Sequence, residues 1–334
     1  MPVSELRLES LTHGDIRLRF AVQGSGPLVI MCHGFPGLWQ SWSQQLAPIA
    51  DAGFTALALD MRGYGGSSQP FDVADYRLDN ICEDLIALLE HFGQGSAIFI
   101  GTDFGAAVLW HLCRAHPKRV RAMIVLSVPF DFDYYGYMGQ GKQLPPPTQR
   151  FEAIAQHRFL HAHYFQTPGI AEASIDPQPR EFLTRLFWAL SANGSLVECM
   201  NRSQPGMDYI DVLEPAPQRF PWYWFSKTLM DDFEESFQRT GFRGALNWYR
   251  ACDLSWELNG KYIGQPIHQP CLFIAGKQDP VITMSGEAAL DPMKKTLKDL
   301  RGLELIDQAG HFVQMEQADK VNGYILQFLN RLND

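Results

Sequence analysis

Long apolar runs are missing from this chain. No stretch approaches the ~18 apolar residues that a membrane span needs, and the longest runs, such as residues 122–127, have the length of strands. A basic excess is missing too. Lys and Arg number 28 against 37 Asp and Glu, and the net charge of −9 argues against nucleic acid and anionic membrane surfaces as partners. The six cysteines, Cys32, Cys82, Cys113, Cys199, Cys252 and Cys271, form no C-x-x-C pair, so zinc and redox motifs are absent. Most lie in apolar runs and read as buried free thiols of a cytoplasmic protein. His157, His163 and His268 qualify as metal ligands by residue type alone, with no ligand spacing. The N-terminal segment has no basic stretch followed by an apolar one, so no signal peptide is expected. Internal repeats and low-complexity blocks are also lacking.

The balance of 46% hydrophobic and 19% charged residues is that of a globular chain. Its 334 residues suffice for one large domain with an insertion, or for two small ones. Residues 15–22 alternate polar and apolar, as an antiparallel edge hairpin does. Residues 28–32 (LVIMC), 54–59 (FTALAL), 96–100 (SAIFI) and 122–126 (AMIVL) are continuous apolar runs, the pattern of strands buried on both faces of a parallel sheet. Between the second and third of these, Leu78, Ile81, Leu85, Leu88 and Phe92 mark one helix face, and Gly93 stops it. The order predicts an α/β fold with a doubly wound, mostly parallel sheet. Residues 131–265 differ: they are aromatic-rich, with Tyr134, Tyr135, Tyr137, three prolines at 145–147 and the run Phe220–Phe225. They predict a mainly helical lid, in which the prolines stiffen a connection and the aromatic run forms lid core. Strand patterns return at 271–275 and 303–306, and a closing helix fits 318–329. The expected division is a core of 1–130 and 266–334 around a lid of 131–265.

One pentapeptide carries chemistry. Gly101-Thr102-Asp103-Phe104-Gly105 follows a strand and opens a helical pattern at 106–113. That is the context of the G-x-S-x-G nucleophile turn, with Asp in place of Ser. No serine version occurs elsewhere. Alone, the segment reads equally as a turn with an Asp helix cap. As a nucleophile, Asp is informative. A carboxylate is ionised at neutral pH and displaces leaving groups at saturated carbon, forming an alkyl–enzyme ester. Epoxides and carbon–halogen bonds are the substrates open to it.

An acid and a histidine should follow in that order. Asp279 follows the strand at 271–275, and His311 follows the strand at 303–306. Both lie at the carboxyl edge of the sheet, where open α/β sheets place their sites. The turn His33-Gly34-Phe35-Pro36 aims the Phe35 N–H at the same place. With the Phe104 N–H it would form an oxyanion hole. The His33 side chain is expected to brace that turn.

At this point the chain resembles the epoxide hydrolases of the α/β-hydrolase superfamily, of the soluble mammalian, plant and bacterial type. The matching stretches are HGFPG (33–37), DMRGYGGS (60–67), GTDFG (101–105), YFQTPGIAEA (164–173), GFRGALNWYR (241–250), GKQDPV (276–281) and AGHFVQMEQ (309–317). The resemblance implies a cis peptide before Pro36 and two lid donors over the ring oxygen. One donor corresponds to Tyr249. The other, commonly tyrosine, falls on His161, with Tyr164 as the alternative. Tyr164 and Trp248 are candidate substrate contacts. Thr102 and Phe104 depart from the His and Trp that commonly flank the nucleophile. Phe104 has no side-chain N–H for a halide, which weighs against a haloalkane dehalogenase. Residues 104–112 hold no arginine for a haloacid carboxylate. A ligand-binding homologue without catalysis would not need the intact nucleophile, acid and base.

The expected reaction joins a small apolar epoxide and water into a vicinal diol, with no cofactor and no metal. The sequence leaves open which epoxide is used and whether the chain pairs as a homodimer.

Overall fold

A computed structural model describes residues 5–131, 136, 138–139, 142–217, 219–286 and 290–332. Tyr134, Tyr135 and Tyr137 lie outside the described residues. The main sheet is built from β1 (Arg7–His13), β2 (Ile16–Gly24), β3 (Leu28–Cys32), β4 (Thr55–Asp60), β5 (Ala97–Thr102), β6 (Val120–Leu126), β9 (Cys271–Gly276) and β10 (Leu300–Ile306). β7 (Met138–Gly139) and β8 (Lys142–Gln143) pair separately as a short ribbon. The main sheet has the order β1-β2-β4-β3-β5-β6-β9-β10. β1 and β2 are antiparallel, as is β2 against β4. Every other neighbouring pair is parallel. The hairpin expected at 15–22 is therefore the β1–β2 edge. β10 begins three residues earlier than its apolar core at 303–306, and its register shifts beside Gly302.

The central parallel strands β3, β5 and β9 are buried along their whole length because both faces are covered, whereas the edge strand β10 keeps Arg301 and Glu304. Alternate residues divide between two cores, as a period of two requires. Val29 and Met31 of β3, with Ile98 and Ile100 of β5, pack with α1 (Ser43–Asp51) and with Val321 and Ile325 near the chain's end. Leu28, Ile30 and Cys32, with Ala97 and Phe99, pack in the opposite core. There they meet Ile81, Leu85 and Leu88 of α2 (Leu78–His91) and Val108 and Leu112 of α3 (Phe104–Ala115).

Between β6 and β9 run α4 (Pro147–Ala155), α5 (His161–Tyr164), α6 (Ile170–Ile175), α7 (Pro179–Leu190), α8 (Leu196–Arg202), α9 (Tyr209–Val212), α10 (Lys227–Thr240), α11 (Arg243–Arg250) and α12 (Cys252–Asn259). Pro147 starts α4, where a missing N–H costs nothing. Phe225 packs on Phe187 at 4.5 Å between ring centroids, so this aromatic run belongs to a packed interior. α13 (Pro280–Ser285) follows β9 directly. α14 (Asp291–Thr296), α15 (Val313–Glu316) and α16 (Ala318–Asn330) complete the chain. No helix among the described residues is long and apolar enough to cross a membrane.

Phe99 is fully buried at the centre of the sheet. Phe99→Ala should cost about 3–5 kcal/mol of unfolding free energy. Urea denaturation would measure it, and a loss below about 1 kcal/mol would contradict the central place given to β5.

Candidate active site

The parallel strands all end at one edge of the sheet, and the site is assembled from the turns that follow them. After β5 the backbone turns so sharply that Asp103 takes φ 53° and ψ −119° before α3 begins. Non-glycine residues rarely hold a positive φ. The glycines on either side leave room for it. A Cβ on Gly101 would lie 2.6 Å from the Gly105 backbone, and one on Gly105 would lie 2.2 Å from the Cys32 carbonyl oxygen. A third glycine, Gly34, makes room for the carboxylate: a Cβ there would lie 2.1 Å from Asp103 Oδ1.

The Asp103 carboxylate accepts the Phe35 N–H at 2.7 Å and is also hydrogen-bonded by the Phe104 N–H. These are the two donors expected of an oxyanion hole, here holding the resting carboxylate. The Phe35–Pro36 peptide is cis. His33 braces the turn: Nδ1 donates to the Gly34 carbonyl at 2.9 Å, and Nε2 accepts the Met61 N–H at 3.0 Å. Burial pushes its pKa down to about 4, against smaller upward pulls from Gly34 and Asp103. It stands beside the reaction centre as a neutral prop.

β9 and β10 deliver the other two members. Asp279 is fully buried at the start of α13, where Oδ1 also accepts the Val281 N–H at 2.9 Å. His311 Nδ1 lies 3.1 Å from both Asp279 oxygens, and its Nε2 lies 3.5 Å from Asp103 Oδ2. Burial alone would raise the Asp103 carboxyl. The His311 hydrogen bond and charge, with the Phe104 and Phe35 N–H groups, outweigh it and hold the group below the ordinary carboxylate range. For His311 burial pulls downward, but Asp279 and Asp103 together hold the imidazole well above its usual value.

α5 and α11 bring His161 and Tyr249 over this constellation. The Tyr249 ring centroid is 4.7 Å from that of Phe104 and 5.6 Å from that of Phe35, so it packs on the side chains of the two residues whose N–H groups hold Asp103. His161 meets Tyr249 edge-on at 5.8 Å and stacks on Tyr209 at 5.7 Å. Burial lowers the His161 pKa to about 4, with a smaller upward pull from Asp103 and a downward one from His311. It is therefore neutral near pH 7 and can donate only as an N–H tautomer. Gln166 ties the two elements together, its Nε2 donating to the Ala162 carbonyl at 2.8 Å and the Tyr249 carbonyl at 3.0 Å. Arg250 adds a bond from Nε to the Phe165 carbonyl at 2.8 Å and an ion pair with Glu172 at 2.8 Å.

Two other candidates stand elsewhere. The Tyr164 hydroxyl donates to Asp208 at 2.9 Å, in a separate cleft of about 470 Å³ lined by Phe159, His163 and Met207. Trp248 is buried, donates from its indole to the Arg62 carbonyl at 2.8 Å and packs against Phe104 from behind. The polar tip of each is engaged by a partner other than Asp103, the Asp208 carboxylate for Tyr164 and the Arg62 carbonyl for Trp248.

Residues outside the sequence expectations also hold the site. Ser127, at φ 66°, donates from Oγ to the His311 carbonyl at 2.8 Å. The Gln278 side chain accepts the Ala309 N–H at 3.2 Å and ties the turn bearing Asp279 to the turn bearing His311. Glu316 accepts N–H groups from both neighbours of His311. Its one available signal was position, five residues beyond His311 within AGHFVQMEQ. Among the described residues, no group of three or more His, Cys, Asp or Glu side chains could hold a metal ion.

The turn, the acid and the histidine define the class of an α/β hydrolase, and the comparisons agree on that class. The α/β-hydrolase-fold family model matches residues 27–162. Epoxide hydrolase A of Mycobacterium tuberculosis (strain ATCC 25618 / H37Rv) is 38% identical over 321 residues, covering 95% of each chain. Bifunctional epoxide hydrolase 2 of Rattus norvegicus is 32% identical over 94% of this chain, which spans about half (53%) of that longer protein. The crystal structure of epoxide hydrolase A from Mycobacterium thermoresistibile superposes with a TM-score of 0.87, at 37% identity and 98% coverage of each chain. This chain belongs to the epoxide hydrolase family.

The opposed shifts of the two histidines are directly measurable. Histidine ring resonances followed by NMR should show His161 titrating near pH 4, with His311 still cationic at neutral pH. A His161 resonance titrating above about pH 6 would contradict the burial account.

Proposed function

We propose that this protein hydrolyses a small apolar epoxide to a vicinal diol through an ester on Asp103. The observation that carries the reading is a carboxylate held by two backbone N–H groups and a paired histidine, with Tyr249 packed on Phe35 and Phe104 and His161 against Tyr249 within reach of the Asp103 charge. A nucleophile below and proton donors above match the two ends of a C–O bond that must break.

An Asp103 oxygen attacks an epoxide carbon, and about a fifth (22%) of its side chain is open to receive one. The C–O bond breaks, and the ring oxygen takes a proton from Tyr249 or His161. Esterification removes the Asp103 charge, one of the two that raise the His311 pKa. The imidazole thereby releases its resting proton to solvent and becomes neutral when a base is needed, and it takes one back when the Asp103 charge returns. His311, oriented by Asp279, takes a proton from water, and the hydroxide adds to the ester carbonyl. The Phe35 and Phe104 N–H groups then hold the oxyanion. Collapse expels the diol oxygen, which takes the His311 proton. The regenerated Asp103 acid ionises, and its proton restores the donor.

In this reading residues 131–265 serve as the lid over a core of 1–130 and 266–334. The six cysteines are free and buried, which supports a cytoplasmic setting.

Two measurements test the scheme. His311→Gln mixed with reactive epoxides should gain the mass of one substrate and release little diol, and no adduct with any epoxide would sink it. In single-turnover alkylation, Tyr249→Phe and His161→Phe should each slow the step by about 10²–10⁴, while Tyr164→Phe leaves it nearly unchanged. The reverse pattern would hand the donor role to Tyr164, and halide release from chloro- or fluoro-substrates would favour dehalogenation.

A further inference from the structure

Glu316 is a buried carboxylate that the reaction scheme does not use; only 3% of it is exposed. It ends α15, five residues beyond His311. Its Oε2 accepts the Gly310 N–H at 3.0 Å and the Ala192 N–H at 2.8 Å, and its Oε1 accepts the Phe312 N–H at 3.2 Å. The carboxylate therefore grips the chain on both sides of His311 and joins it to the turn that follows α7. The contact there is close: the His311 N–H donates to the Leu190 carbonyl at 2.9 Å, and a Cβ on Gly310 would lie 2.4 Å from the Ser191 backbone.

Three N–H groups converge on two oxygens, which suits an acceptor-only carboxylate. A protonated acid or an amide turns one donor of its own toward that set and leaves an N–H opposed. We propose that the ionised Glu316 carboxylate is a positioning residue for His311, holding residues 310–312 against the 190–192 turn so that the imidazole meets the hydrolytic water. The inference rests on the ester mechanism above and deepens it, because it concerns hydrolysis of the ester and not its formation. Asp103 and its two N–H donors belong to other segments, and those donors hold the carboxylate independently of His311, so alkylation loses less than hydrolysis.

Burial pushes the Glu316 pKa up to about 7; the Ala192, Gly310 and Phe312 N–H groups pull it down, and the Asp279 charge adds to the rise. Tyr223 faces the same segment from the aromatic run, its hydroxyl 3.3 Å from the Glu316 carbonyl, and burial first and Glu316 second raise its own pKa. With Asp279, His311 and Tyr223 around it, Glu316 loses its charge as pH falls through its pKa. Loss of that charge and protonation of His311 slow hydrolysis in the same direction.

The test separates the two half-reactions by rapid quench and intact mass, with wild type and Glu316→Gln. In the variant, alkylation should slow far less than hydrolysis, which falls by about 10- to 100-fold, and the ester accumulates. The acid limb of the wild-type hydrolysis rate should be steeper than one ionisation, and that of the variant should fit one. Equal loss in both steps, unchanged hydrolysis, or the same limb in both proteins would overturn the inference. Wild type alone keeps it falsifiable if the variant does not fold: an acid limb that fits a single ionisation overturns it. Ester in wild type with either failure rejects only the Glu316 role, whereas no ester in either protein rejects the covalent reading and this inference together.

Discussion

The site depends on one strained residue. Asp103 sits at positive φ between a buried strand and a helix, and its carboxylate is caught by the Phe35 N–H. Backbones must approach closely for this to happen, so Gly34, Gly101 and Gly105 stand where any side chain would collide. The strain is tolerable because both flanking elements are anchored in the core. β5 is buried along its whole length, and α3 is buried over most of its own. The fold thus holds a carboxylate outward at the edge of the sheet in a conformation that a free turn would leave.

Burial and pairing then divide the ionisable groups into roles. Asp103 is kept anionic by donors that outweigh its desolvation. His311 lies between two carboxylates, which outweigh its burial and hold its pKa well above the usual value. His33 and His161 are buried with weaker carboxylate influence and stay neutral. Three imidazoles of one residue type therefore differ in charge solely through their surroundings.

Much of this was legible in the residues. Continuous apolar runs located the central parallel strands to within about two residues because strands buried on both faces have few polar positions, whereas the edge strand β10 starts three residues before its run. The hairpin showed itself by alternation. The glycines of the turn, and Asp279 and His311 at later strand ends, marked the site because turn geometry and chain order constrain residue type locally. Residues 131–265 were less legible. Tyr164 and His161 stand three positions apart on one short helix, and nothing in their spacing tells what each one meets. The partners lie far along the chain: Asp208 accepts the Tyr164 hydroxyl, and His161 packs on Tyr249. The Trp248 indole N–H likewise finds the Arg62 carbonyl, which no local pattern announces.

Sequence alone determined the fold class, the aspartate in the turn between strand and helix and the order of the acid and histidine after it, since each follows from short-range pattern. Tertiary structure alone decided which side chains from the segment between β6 and β9 pack beside the Asp103 turn, why the histidine pKa values shift in opposite directions, and that Glu316 clasps the His311 segment. Those features arise where segments distant in the chain meet. A contact between Glu316 and Ala192 spans more than a hundred residues, and no local pattern encodes the burial that makes a carboxylate there hold three backbone donors at once.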